Sequence, residues 1–497
     1  MSFLRFLPLF AIVTGLRADV TLPPILSNHM ILQRGVPTHL WGKAAPGESV
    51  TATFRGASAT AKADPVGKWS LYLPAGEAGG PFPLTVQAAN TIAYDDVLVG
   101  DVWVASGQSN IELPLIRSGN AQAEIKNANF PKIRRTRVDR KTAEYPLDEQ
   151  GATPWTATTP ENAGGMSGVA YYFARHIQET QQGVPVGIIE SFWGGTPVEA
   201  WTSLRAIAED PGLMPMFANW ARVGEGWGAL TQKYEMDVKQ WEADSAKAKA
   251  EGKAAPRRPG APFGGPGGPK TPASLYNAMI APIVAYPIKG VIWYQGEGNA
   301  RPALAPVYAR NFMAMIRDWR RAWGLGDFPF IWAQLPNYKE NGWWPDLREA
   351  QLQSLALANT GMAVTIDVGA ADNLHPPNKK DVGVRMAIAA RGVAYGEKIE
   401  WSGPLYRTAA REGGAMRVWF DHTGRSMEGK GGALKGFEVA GADKKFVAAE
   451  ARIEGNTVVV SSSAVADPAF VRYDWDDAPE GNLYNSEGLP ASPFRSN

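Results

Sequence analysis

The chain has 497 residues, more than the roughly 250–300 that one hydrophobic core usually serves, so two or three domains are expected. Its 50 Lys and Arg nearly balance 49 Asp and Glu, leaving a net charge of +1, which gives no electrostatic footprint for nucleic acid or an anionic membrane and suits a neutral substrate. The chain contains no Cys, so disulfides, thiolate nucleophiles and Cys-ligated metals are excluded.

Residues 1–18 read as a signal peptide. Arg5 is a short positive region, 6–16 is apolar but too short to span a bilayer, and the cut is expected near Ala18. The mature protein is therefore expected to be secreted or periplasmic, with no membrane partner. Residues 19–98 read as an N-terminal β-sandwich module, with short strands at 50–54, 69–73 and 84–87 between Gly, Pro and Asp turns. From 99 to 397 the texture changes. Apolar runs at 102–105, 186–190, 290–294, 330–334 and 363–367, with a further one at 133–138, alternate with helical periodicity at 168–179, 303–323, 347–358 and 381–396. That pattern predicts an α/β domain with a parallel sheet. An insertion at about 206–272 interrupts it. Its part 234–253 reads as an exposed helix, and its Gly/Pro-rich part 254–272 reads as a flexible loop without chemistry. Residues 398–497 return to short strands and form a C-terminal β-rich module. The 18 Trp suit either sugar stacking or core packing.

Active sites in parallel α/β sheets lie at the carboxyl ends of the strands. Four polar, Gly-containing loops fall there: 106–110, 191–196, 295–299 and 369–375. Ser109 follows the first strand and precedes a helical turn, where a nucleophile would have an exposed hydroxyl and an N-cap serine would serve equally well. The surroundings are not a G-x-S-x-G elbow, because Ile111 stands where Gly would be. Of five His, only His375 sits in a loop after a parallel strand, and an imidazole is the usual general base near neutral pH. Asp372, three residues earlier, is placed to orient it. Backbone amides at Ser109 and Gly195 supply two oxyanion donors, and either Gln295 or Asn299 offers a third. Gln108 and Glu297 are assigned to substrate binding, Glu297 either on a sugar hydroxyl or as a brace for its loop. Scarce His and the absence of H-E-x-x-H speak against catalytic metal, and the glycines at 264–268 lack the Lys-Ser/Thr of a P-loop. No cofactor is expected.

These motifs together resemble those of bacterial sialate O-acetylesterases, within the SGNH hydrolase superfamily and close to acetylxylan esterases. The matching residues are Gly100-Asp101-Val102-Trp103 through Gly107-Gln108-Ser109-Asn110, then Gly194-Gly195-Thr196-Pro197-Val198-Glu199-Ala200-Trp201. They continue with Trp293-Tyr294-Gln295-Gly296-Glu297 and Asp372-Asn373-Leu374-His375-Pro376. His29-Met30-Ile31-Leu32-Gln33-Arg34 and Asn482-Leu483-Tyr484-Asn485 extend the likeness to both ends. The resemblance implies a flavodoxin-like three-layer α/β/α SGNH domain with β-sandwich modules, Ser109, Asp372 and His375 as triad, and Gly195 with a loop amide in the oxyanion hole. Ile111 and Gly298 depart from the Met and Ser often found there. The expected partner is an O-acetylated sugar or glycan, sialate first and acetylated xylan or another polysaccharide as the alternative. A sialate carboxylate would favour an Arg in the site, with Arg117, Arg301 and Arg348 as candidates by proximity to the motif loops. The reading from a different class is a non-catalytic carbohydrate-binding protein. Oligomeric state is not legible.

Overall fold

The architecture comes from a computed structural model that describes residues 19–340 and 342–496. The expected signal segment 1–18 lies outside these residues. Six strands carry the centre of the molecule: β1 (Thr91–Gly107), β2 (Phe130–Arg137), β3 (Val186–Phe192), β4 (Gly290–Tyr294), β5 (Phe330–Ala333) and β6 (Thr360–Ala363). They lie side by side in the order β6-β5-β4-β1-β3-β2, and every neighbouring pair is parallel. Thr156–Thr158 adds an antiparallel edge beside β2. Every residue of β3, β4, β5 and β6 is buried. This is why those strands read as unbroken apolar runs rather than as alternation. The last strand ends at Ala363, before most of the 363–367 run expected to form it.

Helices lie between and after the strands, among them α1 (Ser109–Glu112), α2 (Gly168–Thr180), α3 (Met214–Ala250), α4 (Tyr308–Trp323), α5 (Trp344–Gln353) and α6 (Lys379–Tyr395). α2 and α6 pack tightly against each other. A Cβ at Gly383 would lie 2.5 Å from the carbonyl oxygen of Val169, so glycine there permits the close approach. α3 begins well before the exposed helix expected at 234–253. It runs through Gly224, Gly226 and Gly228 and buries only Met216. Behind β4, Trp201, Phe312 and Trp319 pack on Trp293, edge-on or stacked. The fully buried side chains include Trp103, Trp155, Trp201, Trp293, Trp319, Trp332 and Trp344, so much of the Trp content is core material.

The first half of β1 belongs to a different neighbourhood. It pairs antiparallel with Gly79–Gln87 and parallel with Ile31–Gln33. Gly79–Gln87 in turn pairs with Ser49–Phe54. The expected boundary at 98/99 therefore falls inside one continuous strand. Accordingly, one cluster of buried apolar residues runs from Val20 to Leu405. A second, from Met416 to Phe494, lies between the short C-terminal strands.

Candidate active site

Three adjacent strands deliver the centre of the site. β3, β1 and β4 end beside one another, with Phe192 and Tyr294 both registered against Gly107. Gly107 has φ +133°, and a Cβ there would lie 2.2 Å from the oxygen of Tyr294. The chain can turn so sharply against β4 only as glycine. The Gln108 amide donates to Tyr294 O at 3.0 Å, and the single turn α1 begins at Ser109. As its first residue, Ser109 has no acceptor for its amide within the turn.

His375 arrives from the far side, on the long segment that follows β6. Its Nε2 lies 2.7 Å from Ser109 Oγ. Burial, Lys379 and Arg117 hold the imidazole below its ordinary value, with Glu112 pulling the other way. The ring is therefore neutral, and able to accept a proton, across the neutral pH range. The remaining His are engaged elsewhere: His29 with Asp96, His39 with Ala285 O and Ser70, His176 beside Arg391, and His422 with Glu400.

Asp372 is not joined to this pair. Its side chain is exposed, and among the described residues it makes no hydrogen bond to His375. Nearby, Asn373 Oδ1 accepts the backbone amide of His375 at 2.9 Å.

A buried polar network fixes the approach of His375 to Ser109. Asn110 Nδ2 donates to Glu297 Oε1 at 2.6 Å and to Leu374 O at 3.0 Å. Its Oδ1 accepts from Lys379 Nζ at 2.6 Å. One amide thus ties the residue after the serine to the residue before the histidine. Burial pulls Lys379 down to about 7 and raises Glu297, so both groups lean towards their neutral forms. Glu297 is half-buried, and its enclosed Oε2 has no hydrogen-bond partner among the described residues. Of the two roles expected for it, the geometry supplies the brace.

The loop after β3 forms the opposite wall. Gly194 donates its amide to Glu112 Oε2 at 2.6 Å, and a Cβ on it would lie 3.2 Å from Ser109 Cβ. Arg140 pairs with the other oxygen of Glu112 and lies over the Trp193 ring, 5.6 Å from its centroid. Gly195 has φ +73°, and its amide has no hydrogen-bond partner among the described residues. The two side-chain amides expected nearby are already committed. Gln295 Nε2 donates to Thr196 O at 3.2 Å and Asn299 Oδ1 at 2.7 Å, while Tyr308 donates to its oxygen. Asn299 Oδ1 also accepts the Val198 amide, and its Nδ2 donates to Glu199 Oε2. Both hold the 194–202 loop from within. Gln108 differs: its oxygen accepts the Gly298 amide at 2.9 Å, and its Nε2 has no partner among the described residues.

No motif points to Glu112 or Arg140. Only the one-turn spacing from Ser109 to Glu112 could have drawn attention to the former. Of the three Arg candidates, Arg117 acts on His375 and Arg301 lies near Glu199 and Lys270. Arg348 is enclosed and donates to the carbonyls of Leu335, Pro336, Asp476 and Asp477. It clamps the C-terminal segment instead of facing substrate.

Known proteins share this arrangement at the level of sequence and fold. Residues 266–391 match the family described as carbohydrate esterase, sialic acid-specific acetylesterase. The sialate O-acetylesterase of Homo sapiens is 32% identical over 425 residues, covering 76% of this chain and 72% of that protein. That of Rattus norvegicus is 32% identical over 424 residues, covering 76% and 74%. The crystal structure of a carbohydrate acetylesterase from Xanthomonas citri is 38% identical, with a TM-score of 0.82, and covers 96% of this chain and 100% of that one. The chain therefore belongs to the sialate O-acetylesterase family and is a carboxylic ester hydrolase.

Proposed function

We propose that this protein removes O-acetyl groups from carbohydrates, with sialate esters as its principal substrates, through an acetyl-enzyme on Ser109. The 2.7 Å contact between Ser109 Oγ and His375 Nε2 carries the reading. His375 takes the hydroxyl proton as Oγ attacks the acetyl carbonyl. The amides of Ser109 and Gly195 receive the developing oxyanion, and the uncommitted Nε2 of Gln108 supplies the side-chain donor. The carbon–oxygen bond to the sugar breaks, and the sugar oxygen leaves with the proton from His375. Water then gives a proton to His375 and attacks the acetyl carbon, the bond to Ser109 breaks as His375 passes that proton to Oγ, and acetic acid departs and ionises to acetate. Asp372 serves as the acidic member by its spacing from His375, with a share reduced by its exposure.

The parallel sheet and the position of Ser109 after β1 favour the flavodoxin-like SGNH arrangement, flanked by β-sandwich modules before 99 and after 397. Delivery outside the cytoplasm through the 1–18 signal segment completes the reading. No helix among the described residues is long and apolar enough to cross a membrane.

The test is hydrolysis of p-nitrophenyl acetate by the wild type and by Ser109→Ala, followed by acetate release from O-acetylated sialic acid and from acetylated xylan. Ser109→Ala should lower kcat by about 10³-fold or more. Near-normal turnover in that variant would overturn the mechanism. Faster release from xylan would move the substrate to plant polysaccharide.

A further inference from the structure

Within the Gly/Pro-rich segment 254–272, expected to be flexible and without chemistry, residues 254–258 are exposed while 264–272 are held against neighbouring side chains. A Cβ on Gly265 would lie 2.0 Å from the Trp227 ring, and one on Gly264 would lie 2.4 Å from Lys270 Cδ. Glycine therefore lets this backbone lie flat on side chains that any larger residue would displace. Hydrogen bonds complete the seating: Thr142 Oγ1 donates to Gly267 O at 2.8 Å, and Ser274 Oγ donates to Gly268 O at 3.0 Å.

What this seating delivers is Phe263. Its Cε1 lies 3.3 Å from the point a Cβ on Gly195 would occupy, so the ring stands over the turn whose other glycine, Gly194, abuts Ser109. Lys270 Nζ lies 5.1 Å from the ring centroid. Phe263 nonetheless remains 47% exposed. Part of an apolar ring is thus open to a ligand at the edge of the Gly194–Gly195 turn. Across the Gly194–Gly195 turn stands the half-buried Trp193 with Arg140 over its ring.

We propose that Phe263 determines substrate specificity by packing its exposed surface on the apolar face of the sugar ring whose acetyl group is attacked at Ser109. The inference rests on the esterase reading above. A pyranose presents C–H groups on one face, and an aromatic ring offers a flat apolar partner at little conformational cost. The insertion thereby contributes directly to substrate recognition.

The experiment compares Phe263→Ala, Phe263→Leu and Phe263→Trp with the wild type on methyl acetate, whose leaving group has no ring to pack on Phe263, and on O-acetylated sialic acid. The small ester carries no sugar, so its kcat/KM should stay within about twofold in all variants. On the sugar ester, KM should rise about tenfold in Ala and Leu, the scale of leaving half a phenyl ring uncovered, and should return towards normal in Trp. Unchanged KM on the sugar ester in Phe263→Ala would overturn the inference and leave the esterase reading standing. Equal loss on both esters would also overturn it, since a merely structural loop would behave so. A wild type inactive on every ester would overturn both readings.

Discussion

Asn110→Ala removes the one side chain that ties Ser109, His375, Glu297 and Lys379 together. Three hydrogen bonds disappear, two of them to ionisable partners at 2.6 Å. Glu297 is left without any side-chain partner, since its Oε2 already has none, and Lys379 loses its acceptor in a buried setting. Breaking a buried charged contact on one side costs about 3–5 kcal/mol. The lean of both groups towards neutrality makes the upper figure a ceiling. We therefore expect a loss of about 3 kcal/mol in urea denaturation, with an unchanged slope. The third lost bond, to Leu374 O, frees the segment that carries His375. A displacement on the order of 1 Å there should lower kcat on p-nitrophenyl acetate about 10–100-fold with little change in KM. A loss below about 1 kcal/mol together with kcat within about twofold would refute the claim that this network positions the base.

Further outcomes follow from the groups around His375. Because its imidazole is held below its ordinary value, the acid limb of kcat/KM should lie below pH 6.5. Arg117→Ala removes a cation that disfavours the protonated ring and should move that limb to higher pH, less so in high salt because Arg117 is exposed. Glu112→Gln removes the opposing carboxylate and should move it lower, so equal directions in a pH–rate series would contradict the assignment. Asp372→Asn should lower kcat far less than Ser109→Ala, and parity between them in p-nitrophenyl acetate turnover would show that Asp372 pairs with His375 after all. Gly107→Ala places a Cβ 2.2 Å from Tyr294 O and should cost several kcal/mol, on the order of 3 or more, read as a large fall in the urea midpoint.

Much of the central sheet is legible because its strands are buried on both faces and its helices keep one apolar side. Ser109 and His375 are legible for a simpler reason: each follows a strand, and the other His lie outside such loops. The fate of Gln295 and Asn299 is not legible, since a carboxamide after a strand looks the same whether it faces substrate or holds Thr196 and Glu199. For Asp372, D-x-x-H spacing alone does not tell whether the carboxylate reaches the imidazole, and its side chain is exposed. Phe263 hides in a low-complexity run whose glycines read as flexibility, although they are what lets the segment lie close to Trp227 and Lys270. Glu112 and Arg140 are distant in sequence from the Gly194 they help to hold, and only tertiary packing brings them together.

The length of β1 also bears on how this protein could be cut or rebuilt. One end of that rod is woven into the sheet of Gly79–Gln87 and Ile31–Gln33, and the other carries the nucleophile. Deleting residues 19–98 would therefore strip both partners from the stem of the serine and expose bare strand edge, a surface prone to pairing between molecules. The amino-terminal β region is a foundation for the nucleophile. Truncation or domain-swapping across residue 98 would be felt at Ser109, as aggregation or lost turnover, even though the cut lies outside the site.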